Sequence, residues 1–254
     1  MQNNKTIIIS IIAVSMAAVS LFYTIYVDVF GPPFRGPKYD VEIGERVSVR
    51  NNLNGLRFVP FIIINNVGKK EGKVSRVEAE ITTDTGKTIK LETNSYQLKS
   101  DEYHTAPAPI SINPNESWSS YIGLAVPMSE QAKEERVAIN FDISNFYQEK
   151  YNEGDLISAK QVLIPDVFYD RVKKVMSENV AWLNSGEYNI KISIYTDFKS
   201  ESPIWQKRYD FRISSLELKG LSEYQIKAYR NPHFSPYKYF TTYTVLPKLK
   251  EAVD

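Results

Sequence analysis

Apolar and polar residues alternate along much of the chain beyond residue 39, and this period of two predicts β-strands that bury one face. Turn-forming residues separate the segments that show this alternation or a longer apolar run. Eight such segments are predicted as strands: residues 41–49, 57–67, 73–83, 88–91, 118–126, 137–143, 188–194 and 205–213. Strands at this density, with few helices between them, predict a mainly β protein containing an antiparallel β-sandwich.

The same pattern predicts one hairpin turn and one helix. Asp84-Thr85-Gly86 joins two of the strands, and its glycine accepts the positive φ that a hairpin turn needs. The segment from Asp166 to Leu183 places apolar residues at three- and four-residue steps, with Asp166 as N-cap and Gly186 beyond its end. We therefore expect one inserted helix near residues 166–183, whereas residues 145–154 are interpreted as an ordered loop.

The N-terminal segment has a different pattern. Thr6 to Val27 contains 22 residues without a charge, and as a helix it would extend about 33 Å, enough to cross the roughly 30 Å hydrocarbon core of a bilayer. Tyr23 and Tyr26 lie near one end, where aromatic rings favour the headgroup layer. A cleaved signal peptide is the alternative, but the apolar run continues past the small residues 18–20. We expect a single-pass signal-anchor helix.

These patterns divide the chain into four parts. Residues 1–30 are interpreted as a short cytoplasmic head and the transmembrane helix, and residues 31–38 as a linker rich in glycine and proline. Residues 39–230 form the predicted β-sandwich domain. Residues 231–254 form a C-terminal tail that contains aromatic residues and prolines.

Basic residues near the apolar segment determine the expected orientation in the membrane. Lys5 and the α-amino group lie on one side, and Arg35 and Lys38 lie on the other, so the two sides carry nearly the same number of positive charges. A five-residue polar head is easily retained in the cytoplasm. We therefore expect the domain on the other side of the cell membrane, which is periplasmic or extracellular.

Three stretches carry a resemblance to a known class of protein: residues 56–68, 72–77 and 186–194. They contain an apolar strand ending in Asn-x-Gly, a short turn and strand, and a late Gly-x-Tyr-x-Ile-x-Ile strand. This pattern of strands and turns resembles that of membrane-anchored bacterial immunoglobulin-like and fibronectin-like β-sandwich proteins. The resemblance implies an immunoglobulin-like fold, and domains of this kind serve adhesion or scaffolding or have no known role. It implies no functional residues.

Composition excludes several classes of function. The 254 residues include 31 basic and 30 acidic side chains, a balance that gives no long-range field to collect nucleic acid. Cysteine is absent, which excludes a disulfide scaffold, a thiolate nucleophile and a cysteine-based zinc site. The 17 tyrosines suit β-structure and half-exposed surfaces better than a helical bundle.

Few residues have the spacing of a catalytic or metal-binding motif. Gly86-Lys87-Thr88 resembles the end of a phosphate-binding loop, but Ile81 occupies a position where that loop requires glycine. His104 and His233 have neither the spacing of a metal-binding pair nor a nucleophile motif beside them. A carboxylate pair for hydrolysis is defined by spatial distance, and the sequence singles out none. We predict no enzyme activity, catalytic residue, metal site or cofactor.

Aromatic residues supply the remaining candidates. Trp118, Trp182 and Trp205 lie on predicted core faces, so we expect them to pack inside the domain. Prolines deny the tail a regular strand or helix, so its rings must pack against the domain or against another molecule. The candidate partner-binding residues are Phe234, Tyr237, Tyr239, Phe240 and Tyr243.

The leading functional hypothesis is a non-enzymatic interaction or structural module. It is anchored in the membrane by Thr6 to Val27 and contacts a protein partner in the envelope or membrane. The first alternative is an extracytoplasmic domain that binds a carbohydrate or another ligand through exposed aromatic rings. The second is a membrane-bound hydrolase with a dispersed carboxylate site.

Overall fold

The computed structural model describes residues 15–26, 36–97, 104–105, 108–152, 163–197, 199–230 and 244–252. Strands dominate this part of the chain. They are β1 (Tyr39–Asn52), β2 (Gly55–Asn66), β3 (Gly72–Val74), β4 (Arg76–Thr83), β5 (Thr88–Gln97), β6 (His104–Thr105), β7 (Ile110–Ile112), β8 (Ser117–Ala125), β9 (Gly186–Tyr195), β10 (Trp205–Ile213), β11 (Thr244–Val245) and β12 (Lys250–Glu251).

Helices occupy two regions of the domain, after β8 and after β10. They are α1 (Glu130–Asn152), α2 (Asp166–Val180), α3 (Ser215–Lys219), a π-helical turn (Gly220–Tyr224) and α4 (Gln225–Arg230). A capping box begins α3, because the Ser214 hydroxyl accepts from the Glu217 N–H while the Glu217 carboxylate accepts from the Ser214 N–H. Residues 15–26 are also helical and exposed.

One antiparallel sheet contains most of the strands, in the order β11-β1-β2-β8-β5-β4-β9-β10-β12, with β6 beside β5. Strands β3 and β7 form a separate two-stranded sheet. The right-handed twist of successive strands, together with register shifts between Ile43 and Val47 and between Thr93 and Ser95, curls the large sheet into a half-barrel. The predicted mainly β, antiparallel architecture is confirmed, and the immunoglobulin-like sandwich is not confirmed.

The main hydrophobic core lies inside this curl. Alternation of side chains places every second residue of a strand there, as along β4, where Val77, Ala79 and Ile81 are buried. The largest fully buried side chains of the sheet are Phe58, Ile62, Ile64, Ile81, Leu91, Ile122, Leu124, Ile190 and Ile192. The hairpin between β4 and β5 is confirmed, and Gly86 has the positive φ of 81° that its turn requires.

A C-terminal strap, residues 244–252, connects the two outer strands of the half-barrel. Val245 pairs with Val49 on β1, and Glu251 pairs with Tyr209 on β10. Only a few residues separate these two pairings, so β1 and β10 must approach each other closely at this point. The strap therefore joins the edges of the curled sheet, which would otherwise expose unpaired backbone groups.

The strap is bound through its backbone and through its side chains. Pro247 O accepts a hydrogen bond from Val47 N at 3.2 Å, and Leu249 N donates to Glu45 O at 2.8 Å. Val245 and Leu249 are buried in the main core. The sequence assigns residues 244–252 to a tail outside the domain, whereas they belong to its sheet.

Helix α1 corrects two sequence predictions. Residues 137–143, predicted as a strand, and residues 145–152, predicted as a loop, are all helical. The alternation of Val137, Ile139 and Phe141 is fortuitous, because Ile139 is 0% exposed whereas Val137 is 67% exposed and Phe141 is similarly open. The face that packs on the domain carries Arg136, Ile139, Ile143 and Tyr147, at three- and four-residue steps.

The predicted helix near residues 166–183 is confirmed as α2. Its N-cap is Pro165 rather than Asp166, and Asp166 instead lies in the first turn, where its carboxylate accepts from Arg230 Nη2 at 2.5 Å. Three of the four buried residues of α2 form a second hydrophobic cluster with α1, α4 and the β1–β2 turn, whereas Val180 belongs to the main core. The second cluster consists of Leu53, Ile139, Val172, Val175, Met176, Ile226 and Tyr229. This cluster packs on the sheet at the β1–β2 turn, through Leu53.

The predicted transmembrane helix lies largely outside the described residues. Of the span from Thr6 to Val27, residues 6–14 and 27 are outside, and residues 15–26 are helical. Among the described residues, no helix has the length and apolar character needed to cross a membrane.

The helical assignment of α1 predicts unequal effects of two substitutions. Ile139→Ala is expected to lower the free energy of unfolding by about 2–4 kcal/mol, because it leaves a cavity between α1 and α2. Val137→Ala is expected to change it by less than about 0.5 kcal/mol, because that side chain is exposed. Urea denaturation followed by tryptophan fluorescence measures both. Comparable losses would contradict the helical burial pattern.

Candidate functional site

Most residues singled out by the sequence lie outside the site described below. The five aromatic residues of the tail and His233 fall in residues 231–243, outside the described part of the chain. His104 lies in β6, opposite Gln97. Trp118, Trp182 and Trp205 pack against the main core, as predicted. Within the described ranges, no group of three or more histidine, aspartate or glutamate side chains could hold a metal ion.

A buried polar network joins β1 to the helical cluster. Asn51 is 0% exposed, and its Nδ2 donates to the carbonyl oxygens of Met176 on α2, at 2.9 Å, and Leu221 in the π-helical turn, at 3.0 Å. Asn51 Oδ1 in turn accepts from Asn179 Nδ2 at 3.0 Å. A single asparagine therefore ties a sheet strand to two helical segments that are distant in sequence.

Asn179 extends the network to α1. Its Nδ2 also donates to Asn52 O at 2.9 Å, and its Oδ1 accepts from Arg136 Nη2 at 2.6 Å. Both amide groups are thus oriented by their hydrogen bonds, because the Oδ1 of each faces a donor and the Nδ2 of each faces carbonyl acceptors. The network ends at the guanidinium group of Arg136.

Arg136 is the most unusual charged residue of the domain. It is 8% exposed, and among the described residues its buried Nε and Nη1 atoms have no hydrogen-bond partner. Burial lowers the pKa of Arg136, while the nearby carboxylates of Glu178 and Glu135 raise it. A guanidinium group stays protonated under such shifts, so Arg136 is a buried cation whose Nε–H and Nη1–H groups donate no hydrogen bond to the described residues.

Arg136 is one of the residues that line a cleft of about 270 Å³ between α1, α2 and the β1–β2 hairpin. Leu56, Val126, Met128 and Trp182 provide apolar surface, and Glu178 is an exposed acidic residue of the lining. We call this the Arg136 cleft. It combines an apolar wall with one exposed carboxylate.

Gly55 lets the hairpin approach Arg136. Its φ is 106°, a left-handed conformation that glycine adopts without strain, and a Cβ added there would lie 3.5 Å from Arg136 Nη1. The preceding turn residue Leu53 inserts into the helical cluster, and its N–H donates to the Tyr229 hydroxyl at 3.3 Å. The hairpin tip is therefore anchored on the helices that form the cleft.

One side-chain hydroxyl group belongs to the lining of the cleft. Ser129 supplies this hydroxyl group. Its Oγ accepts a hydrogen bond from the Ala132 N–H at 3.2 Å and so caps the N-terminus of α1. The lining residues of the cleft include no histidine to activate that hydroxyl. The unpartnered Arg136 donors have almost no accessible surface, so the cleft presents apolar side chains and the exposed carboxylate of Glu178.

Two further surfaces are less specific. A groove of about 430 Å³ crosses β4, β5 and β9, but its charges are partly paired, with Lys191 on Glu80 and Arg76 Nε 2.9 Å from Glu78. Such half-exposed pairs are typical of a solvated sheet face. Elsewhere, Phe61 and the exposed Tyr121 lie side by side on the outer face of the sheet, with their ring centroids 4.9 Å apart.

Tyr229 makes the helical cluster sensitive to alkaline pH. Burial raises the pKa of its hydroxyl to about 12, outweighing the hydrogen bond from the Leu53 N–H. Because the folded-state pKa exceeds the unfolded value of about 10, the stabilisation is complete below about pH 10 and is lost as the pH rises towards about 12.

Tyr229→Phe is therefore expected to flatten the alkaline loss of stability. Between pH 9 and pH 11.5 the variant should lose about 1–2 kcal/mol less unfolding free energy than the wild type. Tyr209, whose pKa burial also raises to about 12, still contributes in the variant. Urea denaturation at the two pH values gives the difference, and parallel losses in both proteins would refute the role of Tyr229.

Arg136 belongs to none of the motifs that the sequence singles out, so the cleft was not predicted. The spacing from Arg136 to Ile139, Ile143 and Tyr147 is a signal that could have revealed it, because this face is helical and an arginine lies among its apolar positions. The Asn54-Gly55 dipeptide is also a turn signal that could have located the hairpin.

Comparisons with known proteins identify no family for this chain. No protein-family model matches it, and no curated protein matches it either.

Proposed function

We propose that this chain is a membrane-anchored, non-enzymatic interaction module that binds another envelope or membrane protein. The Arg136 cleft is the observation that carries the proposal. A cleft that combines apolar side chains with the exposed carboxylate of Glu178 is suited to recognising another molecule that presents an apolar and a polar group. The hydroxyl of Ser129 caps a helix, which fits a binding role better than a catalytic one.

The membrane part of the proposal comes from the sequence. Thr6 to Val27 has the length and lack of charge of a spanning helix, and the linker at residues 31–38 separates it from the domain. In this arrangement the curled sheet and its helical cluster lie in the periplasm or outside the cell. The aromatic residues of the tail form a second contact with the partner.

Protease treatment of oriented vesicles tests the topology. Right-side-out vesicles should lose the domain to added proteinase K, and inverted vesicles should protect it until detergent is added. Because residues 36–254 carry nearly all possible cleavage sites, the two preparations give opposite band patterns. Protection in right-side-out vesicles would place the domain in the cytoplasm and overturn this part of the proposal.

Crosslinking in intact cells tests the partner. Deleting the whole tail would also remove the strap, residues 244–252, which pairs with β1 and β10. The variant therefore keeps the strap and replaces the aromatic residues before it by serine. The replaced residues are Phe234, Tyr237, Tyr239, Phe240 and Tyr243. The crosslinked partner should diminish in this variant and persist in Phe141→Ser, which removes an exposed ring of α1. Equal crosslinking of all three proteins would exclude the tail from the interface.

The Phe61–Tyr121 pair favours a second candidate, carbohydrate binding. Two rings 4.9 Å apart on an open sheet face can offer a platform for a sugar ring. A glycan array probed with the wild type and with Tyr121→Ala tests this function. Binding that disappears in the variant would support it, and no binding to any glycan would remove it.

A further inference from the structure

Two pairs of like-charged residues lie on the outer face of the sheet, beside the strap. Arg50 on β1 is the cross-strand neighbour of Arg57 on β2, and the exposed Arg46 is bridged to the exposed Lys248 of the strap. All four point away from the core, because the residues next to them in sequence are buried in it. Like charges directly opposite each other destabilise a sheet, so the fold gains nothing from this arrangement. We call these four residues the basic surface.

No carboxylate of the described residues neutralises the basic surface. The ion pairs found in this part of the chain include none of its four members. Burial lowers the pKa of Arg50 and of Arg57, and the positive charge of Arg50 lowers the pKa of Arg57 further. A nearby carboxylate would act in the opposite direction. Two half-buried cations are therefore left uncompensated within the domain.

The terminal nitrogens of both arginines can be reached from outside. Arg50 Nε donates to Ser48 Oγ at 3.0 Å, which orients the side chain, whereas Arg57 Nε is fully buried. The Nη atoms of the two side chains keep accessible surface, and no described residue accepts a hydrogen bond from them. A carboxylate that enters here meets charged N–H donors from both arginines.

The depth of the two arginines favours an acidic side chain over a larger polyanion. Ser48 and Val59, which lie beside them on the same face, are only 7% and 6% exposed. Neither a flat bilayer surface nor a nucleic-acid duplex fits charges held at this depth, whereas one acidic side chain can enter beside them. The net charge of the chain, +1, also gives no long-range field to collect a polyanion.

The basic surface adjoins the tail to which the partner contact is assigned. Thr244 of the strap pairs with Arg50, on the side of β1 opposite to β2. Thr244 directly follows Tyr243, the last of the aromatic residues proposed to contact the partner. A partner that binds these aromatic residues therefore lies within reach of the basic surface.

We infer that an acidic segment of the protein partner binds to the basic surface. An aspartate or glutamate carboxylate of that segment accepts hydrogen bonds from Arg50 and Arg57, and Arg46 and Lys248 add attraction from exposed positions. Its charge also relieves the repulsion between the two arginines. The inference rests on the proposed function and specifies the charge that the partner presents.

Three fluorescein-labelled probes test the charge and the chemistry of the ligand. They are hexaglutamate, hexaglutamine and hexathymidylate, and each is titrated with the full chain in micelles of a neutral detergent. Fluorescence anisotropy should show saturable binding of hexaglutamate that weakens as salt is added. Hexaglutamine, which is neutral, should not bind, and hexathymidylate, which presents phosphates, should bind more weakly than hexaglutamate.

Variants connect this binding to the arginines. Arg50→Gln combined with Arg57→Gln should weaken hexaglutamate binding at least about tenfold, the value of one hydrogen bond to a charged group. Lys87→Gln combined with Lys90→Gln is the matched control, because it removes the same charge from exposed positions of the β4–β5 hairpin. The control should change the affinity by less than about twofold.

A second variant avoids the half-buried positions. Arg46→Gln combined with Lys248→Gln changes two exposed side chains and leaves the backbone pairing of the strap in place. It should weaken hexaglutamate binding about two- to fivefold, the value of exposed charge pairs. Circular dichroism checks that each variant is folded before titration.

Several outcomes would overturn the inference. Tighter binding of hexathymidylate than of hexaglutamate would assign the surface to a phosphate-bearing ligand. Equal affinities in the arginine variant and the lysine control would place the binding elsewhere on the chain, and absence of hexaglutamate binding would exclude an acidic ligand. None of these results affects protease accessibility in vesicles or crosslinking through the aromatic residues, so failure of the inference and failure of the proposed function are distinguishable.

Discussion

Asn51→Ala is expected to lower the free energy of unfolding by roughly 3–5 kcal/mol, the largest loss from any single polar substitution that we predict. Asn51 is fully buried, and its side chain donates to Met176 O and Leu221 O while accepting from Asn179. Alanine removes all three hydrogen bonds and leaves carbonyl groups of α2 and the π-helical turn without that donor. A buried polar group without its partner costs about 1–3 kcal/mol.

The adjacent asparagine provides the control. Among the described residues, the Asn52 side chain bonds within the turn alone, where its Oδ1 accepts from Asn54 N at 2.8 Å. Its interaction with Asn179 uses the backbone carbonyl. Asn52→Ala should therefore cost less than about 1 kcal/mol. Urea denaturation of the full chain gives both values. Similar losses at the two positions would show that the buried network does not stabilise the domain.

The combined substitution Val245→Ala and Leu249→Ala is expected to cost about 4–6 kcal/mol and to open the half-barrel at its edges. Both side chains are buried in the main core, and the strap that carries them pairs with β1 at one end and β10 at the other. Losing the two anchors releases backbone pairing as well as apolar contacts. The Val47 N–H, which donates to Pro247 O, should then exchange with solvent faster.

Leu246 lies between the two anchors and is the matched control. Its side chain is 48% exposed, so Leu246→Ala should change the unfolding free energy by less than about 0.5 kcal/mol. Hydrogen exchange and urea denaturation measure both variants. If the double variant retained wild-type stability and slow exchange at Val47, the strap would not hold the edges of the sheet.

Local patterns in the sequence predicted the sheet well. Most of the predicted strands are found, and the hairpin at Asp84-Thr85-Gly86 and the helix α2 are also confirmed. These elements share one property, a spacing of apolar residues that suits a single kind of secondary structure over several residues. Their formation follows from which face each segment must bury.

Helix α1 shows where that reasoning fails. Val137, Ala138, Ile139, Asn140 and Phe141 alternate like a strand, yet only the positions at helical steps from Ile139 meet α2. The residues before them, at 130–136, are strong helix formers. Over seven residues the two periods give similar patterns, and contacts with α2 decide between them.

The sequence by itself determined the β-rich character of the domain, the position of its strands and turns, and the uncharged N-terminal segment, because each depends on neighbours a few residues apart. Only the tertiary structure decided how the sheet closes and where the Arg136 cleft lies. Asn51 reaches Met176 across 125 positions and Leu221 across 170, and Val245 returns to pair with Val49. No local pattern encodes such contacts, since they form only when the folded chain brings those segments together.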